Sequence, residues 1–253
     1  MLENTFIHIP GLGPTAERSL WNQGCHSWSH LLDGVHRYSV GQVDDNLVKE
    51  TLEASHLALS AGEHQFFSRR LNLKDAWRAW PEFRSSCVYL DIETDGGNSG
   101  DSITTIGMYD GETFQCLIKG QDLGNFPDII SHYSMIVTFY GSGFDLPMLS
   151  KGFGGLRFDQ IHLDLCPTLR RLGIRGGLKK IEKQLGISRG EDTEGLDGMD
   201  AIRLWRRYKG LRDESALEQL IAYNREDVVN LQWLANYAYS HLRAETIRGT
   251  PLV

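Results

Sequence analysis

The sequence is organised around Ser86–Gly96, SCVYLDIETDG, an apolar run that ends in two carboxylates. Side chains of an extended chain alternate between two faces, so Asp91 and Glu93 lie on one face while Leu90 and Ile92 lie on the other. Two like charges held that close together need a cation. The alternative is that both acids are solvated at a strand end, before a glycine-rich turn.

Composition sets broad bounds on the protein. The chain has 253 residues, of which 41% are hydrophobic and 23% charged, and this excludes a wholly disordered or fibrous protein. A net charge of -7 argues against nonspecific adhesion to nucleic acid but leaves room for a local basic groove. The sequence shows no signal peptide, no membrane-spanning run and no C-x-x-C pair, so we expect a cytoplasmic protein with no membrane partner.

Residues 1–82 are predicted to form a small α-helical region that Pro81 closes. Within residues 5–34, Gly11 and Gly13 allow a tight turn and leave backbone amides free where a helix begins at Pro14, a place that favours phosphate. This stretch resembles the helix-hairpin-helix motif, which binds DNA backbones without reading sequence, and the resemblance makes both glycines candidate DNA-binding residues. A structural hairpin that packs on the following domain is the alternative.

Residues 84–240 are predicted to form an α/β domain, a mixed sheet flanked by helices, with 241–253 as a C-terminal tail. An Asp110-Gly111 hairpin turn and the alternation of strands with helices support this fold class. The predicted strands cover 87–92, 102–109, 113–118, 135–139 and 160–164. The predicted helices cover about 122–133, 165–173, 178–186, 197–208 and 214–240.

Two further acidic motifs follow the first. Asp145 comes just beyond the strand that ends near residue 139, at the start of a helix. Tyr223 and Asp227 are four residues apart in a strongly helical stretch, so both project from one helix face. The three motifs therefore place acids at two strand ends and on one helix.

In this order, Asp91-x-Glu93, Phe144-Asp145-x-Pro147 and Tyr223-x-x-x-Asp227 resemble the three motifs of the DEDD 3′-5′ exonuclease superfamily, which has a ribonuclease H-like fold. Because a tyrosine stands four residues before the last acid, the chain resembles the tyrosine branch of this superfamily. Within that branch, residues 84–240 resemble the YprB-like group. The resemblance implies that the four acids hold two divalent cations, Mg²⁺ or Mn²⁺, and that Tyr223 orients the attacking water. Hard cations of this kind prefer carboxylate oxygens.

The sequence also offers nucleic-acid contacts. Arg175, Lys179 and Lys180 belong to a basic stretch that is predicted either to contact a phosphate backbone or to form a solvated helix face. Phe144 precedes the second-motif acid, and Tyr140 stands where relatives often carry asparagine. Tyr140 is expected either to stack on a base or to pack at the strand end.

Two polar residues near the fifth predicted strand have more ordinary interpretations. Asp164 is expected to cap the next helix, with an outer role at the metal site as the alternative. His162 is interpreted as a structural histidine. Neither residue is predicted to bind a metal directly.

The sequence therefore predicts a metal-dependent 3′-5′ exonuclease that acts on single-stranded DNA, with RNA as the alternative substrate. A structure-specific endonuclease and a noncatalytic DNA-binding scaffold are the other hypotheses. Metal-stimulated hydrolysis separates the scaffold from the enzymes, and cleavage of a circular single strand separates the endonuclease from the exonuclease.

Overall fold

A mixed sheet lies at the centre of the computed structural model, which describes residues 1–38 and 40–252. In these residues the strand order is β3-β2-β1-β4-β5, with β1 antiparallel to β2 and parallel to β4. The predicted α/β fold class, a sheet flanked by helices and preceded by a helical region, is confirmed. The strands are β1 Cys87–Thr94, β2 Ile103–Tyr109, β3 Phe114–Ile118, β4 Met135–Thr138 and β5 Ile161–Asp164.

Helices precede the sheet, alternate with its later strands and end the chain. The N-terminal set is α1 Pro14–Asn22, α2 Trp28–Asp33, α3 Asp45–Ser60, α4 His64–Ser68 and α5 Trp80–Phe83. The later set is α6 Phe126–Ile130, α7 Asp145–Gly152, α8 Leu165–Arg171, α9 Leu178–Gln184, α10 Gly198–Leu211 and α11 Glu214–Ile247. Among the described residues, we find no helix with both the length and the apolar character that crossing a membrane requires.

The central strand β1 shows the alternation expected of a strand buried on both faces. Val88, Leu90 and Ile92 pack in one hydrophobic cluster, together with helices α6 and α7. Cys87 and Tyr89 point to the opposite face and belong to the cluster that includes the packed side of α11. Because side chains alternate along the strand, Asp91 and Glu93 continue on the α11 face.

The N-terminal helices pack on the same face of the sheet as α11. Trp28, Phe67 and Trp77 are fully buried and belong to one hydrophobic cluster with Tyr89 and with residues of α11. The division of the chain near residue 82 therefore stays a prediction, because apolar contacts run across it.

Three local predictions differ from the structure. Pro81 does not close the helical region: it occupies the first turn of α5, where its missing N–H has no partner to lose, and a 3-10 turn continues to Ser86. The helix predicted over 122–133 is a 3-10 turn followed by the short α6. Helix α11 continues past residue 240 to Ile247, and the Arg18 side chain donates to the carbonyl oxygens of Thr246, in its last turn, and Arg248, just after it.

Candidate metal centre

Three carboxylates from two elements converge beside the sheet. Asp91 and Glu93 come from β1, and Asp227 comes from α11, which packs on this face through Val228 and Leu231. One ligand oxygen from each of the three acids lies within 4.8 Å of the other two. The strand supplies two acids because its alternation repeats every two residues, and the helix supplies the third by crossing above them.

A fourth acid, Asp145, approaches from the other side of β1. It is the first residue of α7 and is buried, and its Oδ1 accepts a hydrogen bond of 3.1 Å from the backbone N–H of Ile92. Its charge contributes to raising the pKa of Asp91. We call Asp91, Glu93, Asp145 and Asp227 the acidic cluster.

Burial and mutual repulsion dominate the electrostatics of the acidic cluster. Burial raises the pKa of Asp91 well above its ordinary value, and the charges of the other three acids raise it further. Burial, aided by the charge of Asp227, raises the pKa of Glu93 to about 8, and burial raises the pKa of Asp145 to about 7. A cation bound among these oxygens would relieve both effects, so the donor set fits a hard divalent ion.

Asp227 is the least perturbed of the four acids. Burial raises its pKa to about 6, while the Arg189 guanidinium beside it works in the opposite direction. Arg189 donates from Nη2 to Asp227 Oδ1. The third-motif acid therefore has an arginine partner, whereas neither Asp91 nor Glu93 forms an ion pair with an arginine among the described residues.

Asn224 is a site residue that the sequence analysis missed. Its Nδ2 donates to Asp91 Oδ2 over 2.9 Å, and the residue is fully buried. A methyl group at Gly107, on the neighbouring strand β2, would lie 2.1 Å from Asn224 Oδ1, so only glycine permits this approach. The signal in the sequence was helical spacing, because Asn224 is a polar residue in line with the apolar positions Leu220 and Leu231.

Tyr223 lies beside the acidic cluster and contacts Lys179. The Lys179 ammonium donates to the Tyr223 hydroxyl and to the carbonyl oxygen of Leu196, and it lies 3.9 Å from the centroid of the tyrosine ring. Burial, with the charge of Asp227, raises the pKa of Tyr223, so its hydroxyl keeps its proton at neutral pH. Lys179 is thus a half-buried neighbour of the third motif, whereas the sequence predicted that it either contacts a phosphate backbone or lies on a solvated helix face.

The loop between β4 and α7 is shaped by Asp164. This buried carboxylate accepts from the backbone N–H groups of Tyr140, at 2.8 Å, and Ser142, at 3.0 Å, and it also caps α8 through Cys166. The predicted cap is confirmed. Tyr140 has a positive φ of 69° and is 56% exposed, and a methyl group at Gly143 in the same loop would lie 2.6 Å from its ring.

His162 is structural, as predicted. Its Nε2 lies 2.8 Å from Thr138 Oγ1, and burial lowers its pKa to about 4, so the ring is neutral at physiological pH. The hydrogen bond joins the ends of β4 and β5. His162 therefore supports the strand end from which the Tyr140 loop starts.

An apolar groove opens next to Glu93. Phe144, Met199 and Ile202 line it together with residues 92–94 of β1 and with Asp197, and its volume is about 470 Å³. Phe144 is 38% exposed and Met199 is 55% exposed, although both are large and apolar. The groove therefore presents an unfilled apolar surface directly beside the acidic cluster.

The remaining predicted contact residues lie at the surface. Arg175 and Lys180 are exposed, before and within α9. Gly11 takes a positive φ of 87° in the turn before α1, and Gly13 is the residue that precedes the helix. No contact joins these glycines to the acidic cluster in the part of the chain that the structure describes, so any DNA contact there would be separate from the cluster.

Residues 88–239 match the family model described as RNase_H superfamily. The match runs from β1 into α11 and so includes every member of the acidic cluster, together with Tyr223 and Asn224. Neither the curated proteins nor the solved structures that were compared gave a significant match to the chain.

Proposed function

The chain belongs to the RNase_H superfamily, and from this premise we propose that it is a metal-dependent 3′-5′ exonuclease of the DEDD tyrosine branch that acts on single-stranded DNA. One observation carries the proposal: Asp91 and Glu93 of β1 and Asp227 of α11 bring three carboxylate oxygens within 4.8 Å of one another, and α11 also carries Tyr223. A nuclease needs such a concentration of oxygen ligands, whereas a structural surface does not.

Each acid has a distinct place in the proposed site. Asp91, Glu93 and Asp227 would hold one divalent cation, and Asp91 and Asp145 would hold a second. Bound at these oxygens, Mg²⁺ or Mn²⁺ stabilises the charge on the attacking and leaving oxygens of the phosphodiester. Asn224 keeps Asp91 in one orientation by donating to its Oδ2.

Tyr223 is proposed to orient the attacking water. Its hydroxyl accepts from Lys179, so its own proton remains available for donation to a water or a phosphoryl oxygen. Because its pKa is raised, the phenol does not act as a base at neutral pH. Positioning of the water, and not proton abstraction, is therefore the role that this geometry supports.

The apolar groove supports a single-stranded substrate. Phe144 and Met199 offer a surface on which an unpaired terminal base could stack beside the acidic cluster, and such stacking tolerates any base. The exposed Tyr140 ring offers a further stacking surface. A paired base would leave these surfaces uncovered.

The test uses 5′-labelled single-stranded DNA and RNA oligomers of matched sequence, incubated with Mn²⁺, Mg²⁺ or EDTA. We expect a metal-dependent ladder that shortens from the 3′ end, stronger for DNA, and absent for Asp91→Ala. Asp101→Ala, which removes an exposed acid from the turn before β2, is the matched control and should retain full activity.

Each other outcome would support a different function or reject the proposed metal centre. A stronger RNA ladder would make the chain an exoribonuclease, and cleavage of a circular single strand would make it an endonuclease. Binding without hydrolysis under every metal would support the noncatalytic scaffold. Full activity in Asp91→Ala would reject the proposed centre.

Backbone binding by the exposed part of the basic stretch is a separate prediction. Lys180→Ala should lower the slope of log affinity against log salt by about 0.7, the value for one phosphate contact on a single strand. Lys179→Ala should leave that slope unchanged, because this ammonium is committed to Tyr223 and Leu196. An unaltered slope in Lys180→Ala would remove the basic stretch from the substrate path.

A further inference from the structure

Arg189 lies outside all three acidic motifs and yet contacts one of the proposed metal ligands. It follows α9, in the segment before α10, and its side chain is only 7% exposed. Its Nη2 donates to Asp227 Oδ1. One oxygen of Asp227 is thereby hydrogen-bonded to the guanidinium.

A buried glutamate on α9 anchors this arginine. Arg189 donates from Nε to Glu182 Oε2 over 2.7 Å and from Nη2 to Glu182 Oε1 over 2.8 Å, a bidentate pair. Glu182 is 2% exposed and also accepts from Asn230 Nδ2 over 2.9 Å. If Arg189 swung away, Glu182 would remain as a buried charge with no cation, which is strongly unfavourable.

The backbone next to Arg189 is also tied to α11. The N–H of Gly190 donates to Glu226 Oε1 over 2.7 Å, and the Thr193 hydroxyl donates to the other oxygen of Glu226. Glu226 directly precedes Asp227 on the helix. The segment that carries Arg189 is therefore fixed against the same turn of α11 that carries the third-motif acid.

We infer that Arg189 is a positioning residue for the cation site: it stays on Asp227 when a cation is bound and holds that carboxylate in the orientation that binds it. The inference rests on the proposed function. The competing account is that Arg189 only neutralises Asp227 until a cation displaces it. The two accounts predict opposite changes in cation affinity when Arg189 is replaced. Loss of a positioning residue weakens cation binding, whereas loss of a competing charge strengthens it.

The experiment measures Mn²⁺ binding to the full chain by isothermal titration calorimetry, without nucleic acid. Arg189→Gln should bind Mn²⁺ about 10- to 100-fold more weakly than the wild type, as expected when the partner of a ligating carboxylate is lost. Arg203→Gln is the matched control, since Arg203 is 68% exposed and pairs with Asp200 on α10, and its affinity should equal the wild-type value. Unchanged or tighter binding in Arg189→Gln would overturn the inference.

A second variant separates a loss of cation affinity from a folding defect. Arg189→Gln leaves Glu182 buried without its cation, so the double variant Glu182→Gln/Arg189→Gln removes both charges and keeps similar volumes. We expect the same weakening of Mn²⁺ binding in the double variant, with circular dichroism and thermal melting establishing that it is folded. A lowered melting temperature with wild-type Mn²⁺ affinity would show a purely structural role and would reject the inference.

Asp91→Asn separates this inference from the proposed function. If the wild type binds Mn²⁺ and Asp91→Asn does not, the metal centre stands and Arg189 is judged by its own variants. If Asp91→Asn binds Mn²⁺ as the wild type does, or if neither binds, the proposed centre fails and the role of Arg189 fails with it.

Discussion

Arg78 and Glu17 in the N-terminal helical region and Asp145 and Asp227 in the acidic cluster are all buried, but their surroundings differ. Arg78 lies 2.9 Å from Glu17, and Glu17 also accepts from the backbone N–H of Phe6 over 2.8 Å. The N-terminal charges therefore satisfy one another. Among the described residues, the four carboxylates of the acidic cluster have Lys179 and Arg189 as nearby cations, and repulsion between the acids contributes to their raised pKa values.

This difference shows which buried charge serves folding and which serves chemistry. A complete ion pair such as that of Arg78 and Glu17 needs nothing from solution, so removing one partner should damage the fold. The acidic cluster has more negative than positive charge, so a cation from solution would complete it. Removing one of its acids should therefore weaken cation binding and catalysis while relieving the repulsion between the remaining acids.

The largest expected effect comes from Asp91→Asn, which removes a charge and nearly preserves shape. Hydrolysis should fall at least about 10³-fold, because the metal centre supplies several kcal/mol of transition-state stabilisation. The melting temperature of the metal-free variant should equal or exceed that of the wild type, measured by differential scanning fluorimetry with EDTA. A marked fall in that melting temperature would contradict the claim that Asp91 serves cation binding and not folding.

Arg78→Met should show the opposite pattern. It leaves Glu17 buried without its cation, so the free energy of unfolding should fall by about 3–5 kcal/mol, measured by urea denaturation. Hydrolysis by the folded variant at low temperature should remain near the wild-type rate. Arg203→Met, which removes one partner of an exposed ion pair, should change stability by no more than about 1 kcal/mol. If its stability fell as much as that of Arg78→Met, burial would not be the cause of the Arg78→Met effect.

Tyr223→Phe should lower hydrolysis by about 10²-fold, less than the loss of an acid, because it removes only the hydroxyl that orients water. The hydroxyl is also the acceptor for Lys179, so Lys179→Met should add little to the defect of Tyr223→Phe. Rates of the two single variants and the double variant measure this coupling. Full additivity would show that Lys179 acts on the substrate by another route.

The smallest expected effect, per unit of pH, is a pH dependence of stability that belongs to the N-terminal region. His8 is buried between Trp28 and Phe67, and burial, with a smaller contribution from the Arg70 charge, lowers its pKa to about 3. The folded state therefore binds fewer protons than the unfolded state between about pH 3 and pH 6.5, and stability is lost as the pH falls through this range.

The size of this dependence is about 1.4 kcal/mol per pH unit at most. The difference in the free energy of unfolding between the wild type and His8→Gln is followed by urea denaturation from pH 7 to pH 4. This difference separates the contribution of His8 from those of the other titrating groups. Parallel curves for the two proteins would contradict the prediction. The acidic cluster has the opposite sign, because its raised pKa values make the metal-free fold less stable as the pH rises.

The sequence predicted the elements that carry the acidic cluster because those residues follow local periodicities. Alternation along β1 places Asp91 and Glu93 on one face, and four-residue spacing on α11 places Tyr223 and Asp227 on another. The order of strands and helices along the chain was enough to predict the mixed sheet. These features depend only on neighbours in the sequence.

The inward-facing cations could not be predicted in this way. Lys179 and Arg189 belong to a basic, glycine-containing stretch that is typical of a solvated surface. Their positions depend on the packing of α9 against α11, through contacts such as the hydrogen bond from Asn230 to Glu182. No local pattern links those segments, and the same holds for the pairing of Arg78 with Glu17.

The close approach of Gly107 to Asn224 has a consequence for the kind of ion that the protein would select. Asn224 reaches Asp91 only because β2 has no side chain at this point, so the orientation of the Asp91 carboxylate depends on a missing methyl group. Mg²⁺ binds oxygens at about 2.0–2.1 Å and Ca²⁺ at about 2.3–2.6 Å. Discrimination between ions by their radius would thus depend on a strand residue with no functional group of its own.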